Sequence, residues 1–237
     1  MSELYEGKLV LVTGSSRGLG KAIAHHFLGH GATVIGLSRS AGAIEHPAYS
    51  HLTCDVGDPQ DVQAAFAEIR KHGSLDILVN NSGVAESQHS VLLSARSATE
   101  MLATNLLGPF LVSREAAKLM KKSGGGRIVN IGSMMTVLEP FGGSVYAASK
   151  AGFVTLTNVQ AKEFASFNIT CNTIGVTAIE SDMLRKQPRK MFDEIIAGLP
   201  IPRYADPDDV FNVIDFLSSE RSSYITAQTI YLGGIHE

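Results

Sequence analysis

Residues 9–20 read LVLVTGSSRGLG, an apolar run followed directly by closely spaced glycines. The run Leu9–Thr13 is rich in leucine and valine, which is typical of a strand buried on both faces of a parallel sheet. Gly14, Gly18 and Gly20 permit a tight turn and let a pyrophosphate approach the beginning of the next helix. The stretch therefore predicts a strand, an anion-binding turn and a helix, in that order.

Similar apolar runs recur along the chain and predict the other strands. They cover residues 33–38, the region of 51–54, and residues 75–80, 127–131, 169–174 and 229–232. Helical segments lie between them, from Leu19 to His30 and after the Asp-Pro pairs at Asp58 and Asp206, which suit helix starts. Gly42 and Pro47 predict a short or absent helix between residues 40 and 50.

Strands that alternate with helices at this spacing predict an α/β fold. The expected architecture is a doubly wound parallel sheet of about seven strands with helices on both faces. No linker rich in Pro, Ser or Gly divides the chain, since the glycines at 124–126 make only a short turn. We therefore expect residues 1–237 to form one domain.

The composition excludes several classes of protein. Of the 237 residues 44% are hydrophobic, and 20 basic and 23 acidic side chains leave a net charge of −3. Disordered chains combine low hydrophobicity with high net charge, so a folded protein is expected. Nucleic acid is not expected as the main partner, because the basic footprint of such proteins is missing. A small ligand is expected instead.

The sequence also bears on location and redox state. No apolar run approaches the ~18 residues of a membrane helix, and the first seven residues lack the basic start and apolar region of a secretory signal. We expect a cytoplasmic protein that does not enter a membrane. Cys54 and Cys171 lie in apolar, strand-like surroundings without metal-ligand spacing, so buried reduced thiols and no metal site are expected.

Further motifs follow the glycine turn in a fixed order. They are Asn80-Asn81-Ser82-Gly83 after the fourth strand, Asn105, Ser133 and the pair Tyr146 and Lys150 in YxxxK spacing, with Ser133 placed 13 residues before Tyr146. Together with TGxxxGxG at residues 13–20, they resemble the classical short-chain dehydrogenase/reductase family, and the pattern is most similar to that of the 3-oxoacyl-[acyl-carrier-protein] reductases. The resemblance covers nearly the whole chain and implies a Rossmann-type fold with a nicotinamide cofactor.

Tyr146 and Lys150 are four residues apart and therefore share one face of a helix. A nearby ammonium favours the ionised phenol, whose ordinary pKa of about 10 is too high for acid–base work at neutral pH. Tyr146 is the expected proton donor to a ketone, and Ser133 the expected hydrogen-bond donor to its carbonyl. The resemblance adds that Lys150 holds the nicotinamide ribose and that Asn105 supports a water relay.

The end of the second strand bears on the choice of cofactor. An acidic residue there would bind the ribose 2′-hydroxyl of NAD, but the sequence has Ser38 and Arg39. Arg39 and Arg17 suit a 2′-phosphate, so NADP(H) is expected. The resemblance also implies that Asp55-Val56 contacts the adenine and Ile179 the carboxamide. The full set expected to bind the cofactor is Gly14, Ser16, Arg17, Gly18, Leu19, Gly20, Ser38, Arg39, Asp55, Val56, Asn81, Ser82, Gly83, Tyr146, Lys150, Ile179 and Ser181.

Two segments depart from the family pattern. Val176-Thr177 stands where the family has Pro-Gly, and Tyr231-Leu232-Gly233-Gly234 lacks the acidic or amide residue that usually precedes the glycines. Proline fixes φ and glycine tolerates positive φ, so the resemblance does not determine the geometry of the first segment. These departures indicate a reductase that has diverged from the housekeeping enzyme.

An apolar substrate pocket is expected from Met134, Met135, Phe141 and Met183. Residues of about 180–202 fall where family members carry a mobile substrate lid. Basic residues in this segment suit an acidic carrier protein or a coenzyme A phosphate, but an ordinary solvated helix face explains them equally well. His25 and His26 are expected on the surface.

The expected activity is NADPH-dependent reduction of a ketone to a secondary alcohol, with a 3-oxoacyl thioester or a related polyketide-like carbonyl as substrate. Two alternatives stay open: an NAD(P)-dependent alcohol dehydrogenase acting on a sugar, polyol or steroid, and a cofactor-binding protein without turnover. The resemblance also implies a homotetramer assembled through two long helices, near Thr99–Lys122 and Val145–Ser166.

Overall fold

The apolar runs of the sequence form the strands of one parallel sheet. The computed structural model of the chain describes residues 4–180, 185 and 189–235. Within this part of the chain, the sheet contains β1 Leu9–Thr13, β2 Thr33–Ser38, β3 Tyr49–Thr53, β4 Ile77–Asn80, β5 Gly126–Ile131, β6 Ile169–Gly175 and β7 Thr229–Tyr231. The predicted seven-stranded α/β fold is confirmed.

Helices cover both faces of the sheet and begin where the sequence places helix caps. Their bounds are α1 Gly18–Gly29, α2 Pro59–Ile69, α3 Ala95–Leu102, α4 Gly108–Ser123, α5 Met135–Leu138, α6 Ser144–Phe164, α7 Arg189–Ala197 and α8 Pro207–Ser218. Asp58 caps α2, where its carboxylate accepts the N–H of Gln60 at 2.7 Å. None of the helices in the described part of the chain is long and apolar enough to cross a bilayer.

The long helix expected near Thr99–Lys122 is interrupted. A π-helical turn over Ala103–Leu107 separates α3 from α4. Pro109 lies two residues after this turn and has no N–H to continue the hydrogen-bond ladder, which accounts for the break at this point. Such turns are frequent at functional sites, and this one contains Asn105.

The strand order β3-β2-β1-β4-β5-β6-β7 fixes where a ligand can bind. The chain winds outward in one direction from β1 and in the other from β4, so the carboxyl ends of these two strands flank a topological switch point. Between β2 and β3 the backbone forms no helix, which confirms the prediction for residues 40–50.

Apolar side chains pack on both faces of the sheet. Phe66 of α2 lies in the cluster on one face and Phe27 of α1 in the cluster on the other, and both side chains are fully buried. Burial of a phenylalanine stabilises a fold by about 1.5–3 kcal/mol relative to its exposed state. The two clusters hold the sheet rigid beneath its carboxyl edge.

A chain of buried amides ties the middle of the sheet to α6. Asn80 Nδ2 donates hydrogen bonds to Asn130 Oδ1 at 2.8 Å and to Ser113 Oγ at 2.9 Å. Asn130 Nδ2 in turn donates to Thr157 Oγ1 at 2.8 Å. Buried polar groups are costly unless they are paired, so these bonds favour one placement of α6 against β5.

The expectation for the two histidines of α1 is wrong for one of them. His25 is exposed, but the side chain of His26 is only 11% exposed. Its Nε2 lies 2.8 Å from Asp215 Oδ1, and its ring stacks on Phe211 with 4.4 Å between centroids. The partners come from α8, nearly two hundred residues later in the chain, so local sequence could not indicate them.

Both cysteines are free and buried, as predicted. Burial raises the pKa of Cys54 and of Cys171 to about 12, so neither thiol ionises near neutral pH. An un-ionised thiol is a poor nucleophile and a poor metal ligand. The two residues act as small apolar side chains of the core.

Candidate active site

The glycine turn between β1 and α1 forms one wall of a cleft. Gly14 has a φ of +70°, and a Cβ on Gly20 would lie 2.3 Å from the Gly14 carbonyl oxygen and 2.4 Å from Asn81 Nδ2. No side chain larger than hydrogen fits at Gly20 without opening the turn. Arg17, at the N-cap of α1, makes no side-chain cap bond, so the first N–H groups of the helix are available for an anion.

Hydrogen bonds from Thr13 join the glycine turn to the loop after β4. Thr13 Oγ1 accepts the N–H groups of Asn81 and Ser82, each at 2.9 Å. Asn81 Nδ2 donates to the Thr13 carbonyl, also at 2.9 Å. The Asn80-Asn81-Ser82-Gly83 motif therefore closes the cleft from the other side of the switch point.

The residues expected at the adenosine end lie together, but Ser38 and Arg39 already make hydrogen bonds to other protein groups. Ser38 Oγ donates to the Ser40 carbonyl at 2.8 Å and lies 2.8 Å from His51 Nε2. A hydroxyl has one proton, so His51 is the donor in the second bond. Ser38 therefore has no proton left for a phosphate. Arg39, which pairs with Glu100 at 3.2 Å, is exposed and can turn toward one.

Ser133, Tyr146 and Lys150 converge at the carboxyl end of β5. Ser133 follows the strand by two residues, and its hydroxyl accepts the N–H of Met135 at 3.2 Å and hydrogen-bonds to Tyr146. Tyr146 and Lys150 lie one turn apart on α6, as their spacing predicts. Lys150 Nζ donates to the Ile131 carbonyl at 2.8 Å, at the end of the same strand.

The electrostatics of the pair differ from the sequence expectation. Burial raises the pKa of Tyr146 above its ordinary value, and the hydrogen bond from Ser133 lowers it only in part. Burial lowers the pKa of Lys150 to about 8. The lysine was expected to lower the pKa of the phenol, but its ammonium is bonded to the Ile131 carbonyl and is itself destabilised by burial. The phenol is therefore protonated at neutral pH.

Asn105 lies behind the cleft and does not line it. The side chain is fully buried in the π-helical turn. Its Oδ1 accepts the Val84 N–H and its Nδ2 donates to the Val84 carbonyl, both at 2.9 Å, while Nδ2 also donates to Ser149 Oγ at 3.1 Å. In this arrangement the amide holds the loop after β4 against α6.

A cavity of about 570 Å³ runs between these walls. All the residues expected to bind the cofactor border it, apart from Ser181, which lies outside the described residues. Ser133 borders it too, and so do two of the expected substrate residues, Met134 and Met135. Met183 also lies outside the described residues.

Phe141 is not brought to the cavity. Its side chain is 80% exposed, and its ring meets the edge of His89 with 5.3 Å between centroids. Phe192 of α7 lines the cavity instead, together with Ala178 and Thr177. Local sequence gave no sign of Phe192, because only the tertiary fold brings α7 over Met134 and Met135.

The segment Val176-Thr177 adopts ordinary backbone geometry. Neither residue has a positive φ, so the loop needs no glycine here. The Val176 carbonyl accepts the Met134 N–H at 2.9 Å, and the Ala178 carbonyl accepts the Ala205 N–H at 3.0 Å. The loop after β6 is thereby tied to the turn that carries Ser133.

Two basic side chains in the described part of the expected lid are paired with acids. Arg189 lies 2.9 Å from Glu180, and Lys190 lies 3.9 Å from Glu194. The Arg189 guanidinium also lies over the Tyr204 ring, 5.4 Å from its centroid. This local compensation favours an ordinary solvated helix face over a docking surface for an acidic carrier.

The comparisons with known proteins agree with this geometry. A family model described as short chain dehydrogenase matches residues 8–191. The chain belongs to the short-chain dehydrogenase family of oxidoreductases, which use nicotinamide cofactors and act on CH–OH and C=O groups.

Two groups of relatives are similar over almost the full length. The 3-oxoacyl-[acyl-carrier-protein] reductases FabG of Vibrio cholerae and Escherichia coli are 34% and 35% identical to this chain in sequence. Each match covers 97% of this chain and 97% of the reductase. Among solved structures, aldohexose dehydrogenase of Thermoplasma acidophilum has a TM-score of 0.90 at 32% identity, covering 98% of this chain and 95% of its own. A putative gluconate dehydrogenase of Agrobacterium tumefaciens has a TM-score of 0.88 at 31% identity, covering 99% and 98%.

Gly20→Ala should abolish tight dinucleotide binding. The added methyl group would meet the Gly14 carbonyl and Asn81, so we expect the Kd for NADPH to rise roughly 100-fold or more in calorimetric titration, a loss of about 2.7 kcal/mol. Gly29→Ala is the matched control at the other end of α1, where a Cβ meets nothing within 4 Å. Equal affinities for the two variants would contradict the assignment of the turn.

Lys150→Met should change the pH dependence of stability. The native lysine loses its proton near pH 8, whereas the unfolded chain holds it to about pH 10.5. Between about pH 8 and pH 10.5 the unfolded chain therefore binds more protons at Lys150 than the native protein does. The free energy of unfolding of the wild type rises with pH over this range. We expect the stability of the variant relative to wild type to fall by about 2 kcal/mol between pH 7 and pH 10 in urea unfolding.

The control for that measurement is Lys162→Met, an exposed lysine on the same helix. Its stability relative to wild type should not vary with pH over this range. If the difference in stability between Lys150→Met and wild type is also constant with pH, burial does not lower the pKa of the native lysine.

Proposed function

We propose that the protein is an NADPH-dependent reductase that converts the ketone of a 3-oxoacyl thioester, or of a related polyketide-like compound, to a secondary alcohol. The observation that carries this proposal is the placement of Tyr146, which borders the cavity beside its apolar end and is hydrogen-bonded to Ser133. A carbonyl that reaches both hydroxyls is held by two donors at once.

Each residue then has a defined task. Ser133 donates a hydrogen bond to the carbonyl oxygen and stabilises the charge that develops there. Tyr146 delivers its proton to the same oxygen. Lys150, with a pKa of about 8, is charged at neutral pH, and together with the positive ring of an oxidised nicotinamide it would favour the phenolate left behind. A bound nicotinamide would supply the hydride.

The proposed direction, reduction, is supported by the expected NADP(H) cofactor and by the FabG reductases among the relatives. The same Ser133 and Tyr146 would serve the reverse reaction, so the turnover measurement below separates this proposal from the alternative of an alcohol dehydrogenase.

The choice of NADP(H) rests on charge at the end of β2. Arg17 and Arg39 border the adenosine end of the cavity, and β2 ends on Ser38 without a carboxylate. Guanidinium groups suit a 2′-phosphate. The turn at Gly14 and Gly20 fits a dinucleotide, because glycine at position 20 keeps the turn tight and no side chain caps the first N–H groups of α1.

The substrate class rests on the lining beyond Tyr146. Met134, Met135, Phe192 and Ala178 form an apolar surface there. In the described part of this lining no charged group is present other than Lys150. Sugars and polyols need several polar partners, so an acyl chain fits this surface better than the substrates named for the aldohexose and gluconate dehydrogenases. Coenzyme A and an acyl carrier protein both present such a thioester.

Assembly and location belong to the same proposal. Leu107 in the turn before α4, Phe110 on α4 and Val159 on α6 are 40%, 39% and 46% exposed. Apolar exposure of this kind on two long helices supports a homotetramer built through them. Two free thiols support a reducing compartment, the cytoplasm.

Turnover of a 3-oxoacyl thioester should depend on Tyr146. We expect wild type to oxidise NADPH in the presence of a medium-chain 3-oxoacyl thioester, and Tyr146→Phe to lower kcat by about 10²- to 10⁴-fold while still binding NADPH. Tyr224→Phe, at a fully exposed tyrosine, is the control for the substitution. Tight NADPH binding without reduction of thioesters or cyclic ketones, and without oxidation of alcohols in the presence of NADP⁺, would instead support a cofactor-binding protein.

Arg39→Ala should weaken NADPH selectively. Loss of one guanidinium contact to the 2′-phosphate should raise the Kd for NADPH about tenfold and leave that for NADH nearly unchanged. Arg96→Ala is the control, because Arg96 is exposed nearby on α3 but does not border the cavity. A parallel loss for both cofactors would contradict the assigned contact.

A further inference from the structure

The turn that carries Ser133 is held by a second hydroxyl. Thr136 Oγ1 donates to the Ser133 carbonyl at 2.9 Å and lies 2.8 Å from the hydroxyl of Tyr231. The Ser133 carbonyl oxygen can only accept, so the one hydroxyl proton of Thr136 is used in the bond to Ser133. Tyr231 must therefore be the donor to Thr136. The result is a directed chain from Tyr231 through Thr136 to Ser133.

Tyr231 is itself held firmly in place. It belongs to β7 and pairs with Gly175 of β6. A Cβ on Gly175 would lie 2.1 Å from Tyr231 Cδ1, so the tyrosine ring lies flush against the glycine backbone. The next residue, Leu232, donates its N–H to the Gly175 carbonyl at 3.0 Å. The tyrosine hydroxyl is thus fixed to the rigid sheet.

We propose that Tyr231, acting through Thr136, is a positioning residue that sets the place of Ser133 at the reacting carbonyl. This inference rests on the role given to Ser133 in the proposed function. It assigns a task to the strand segment Tyr231-Leu232-Gly233-Gly234, which departs from the family pattern. Neither Tyr231 nor Thr136 borders the cavity, so neither touches substrate.

The physical reason is the way in which the turn around Ser133 is held. Backbone bonds from Gly132 to Ile174 at 2.8 Å and from Met134 to Val176 at 2.9 Å fix the chain on either side of it. The Ser133 carbonyl accepts the Thr136 N–H at a longer 3.3 Å, so the rotation of its peptide is restrained mainly by the Thr136 hydroxyl. Rate depends steeply on the placement of a donor at the reacting atoms, and shifts of about 1 Å can cost as much as 100-fold. A hydroxyl anchored on the sheet removes that freedom.

Four single variants and one double variant separate positioning from packing. Tyr231→Phe keeps the ring against Gly175 and removes only the donor, and Thr136→Val removes the hydroxyl that receives it. We expect each to lower kcat about tenfold, with the KM for NADPH unchanged. Thr136→Ser keeps a hydroxyl at position 136 and should therefore keep most of the wild-type kcat. Tyr224→Phe should leave kcat unchanged. The double variant should be no slower than either single one, because both break one chain.

A second measurement does not need turnover. With [ζ-¹³C]tyrosine incorporated, the six tyrosines give separate resonances, and Tyr146→Phe assigns that of Tyr146. The Cζ shift reports the hydrogen bond at the phenol oxygen. It should move in Tyr231→Phe and Thr136→Val at neutral pH, because Ser133 is displaced, and should stay in place in Thr136→Ser and Tyr224→Phe.

The outcomes distinguish this inference from the proposed function. A wild type that reduces no carbonyl compound refutes the proposed function, and the Tyr146 resonance then decides the positioning role alone. An unchanged Tyr146 resonance in both Tyr231→Phe and Thr136→Val overturns the inference, whatever happens to the rate. Additive losses of kcat in the double variant overturn it as well.

Discussion

The hydrogen bonds that Thr13 makes across the switch point are the constraint on which the site depends. Thr13 ends β1, and its hydroxyl and carbonyl together take three bonds from Asn81 and Ser82 after β4. They bring two loops so close that Gly20 has no room for a side chain. Everything that could hold a dinucleotide is arranged around this contact, because strand order leaves the cleft open only there.

Burial then determines the chemistry of the cleft. It raises the pKa of Tyr146 and lowers that of Lys150. The cleft thus presents a protonated phenol next to a cation that is easily discharged, which suits proton delivery. Hydrogen bonds to the sheet hold two of the site residues in place. Lys150 is bonded to the end of β5, and Ser133 is bonded through Thr136 to β7.

Local sequence predicted what local sequence determines. The strands, the glycine turn and the YxxxK face follow from periodicity, glycine conformation and helix geometry. The missing helix before β3 followed from Gly42 and Pro47. Contacts between segments that are far apart in the chain could not be predicted from the sequence. Phe192 reaches the cavity from α7, His51 donates to Ser38 from β3, and His26 is covered by α8. The pKa of Tyr146 depends on such burial, so spacing alone could not give its direction.

In the proposed function one cleft, at the edge between β1 and β4, holds the cofactor beside Ser133 and Tyr146. Hydrogen–deuterium exchange with and without NADP⁺ is the measurement to make, because it reports binding residue by residue. We predict slower exchange at once in residues 14–20, 81–84 and 132–135, with α2 unaffected. Protection confined to another part of the chain, or protection of residues 14–20 without 132–135, would contradict it.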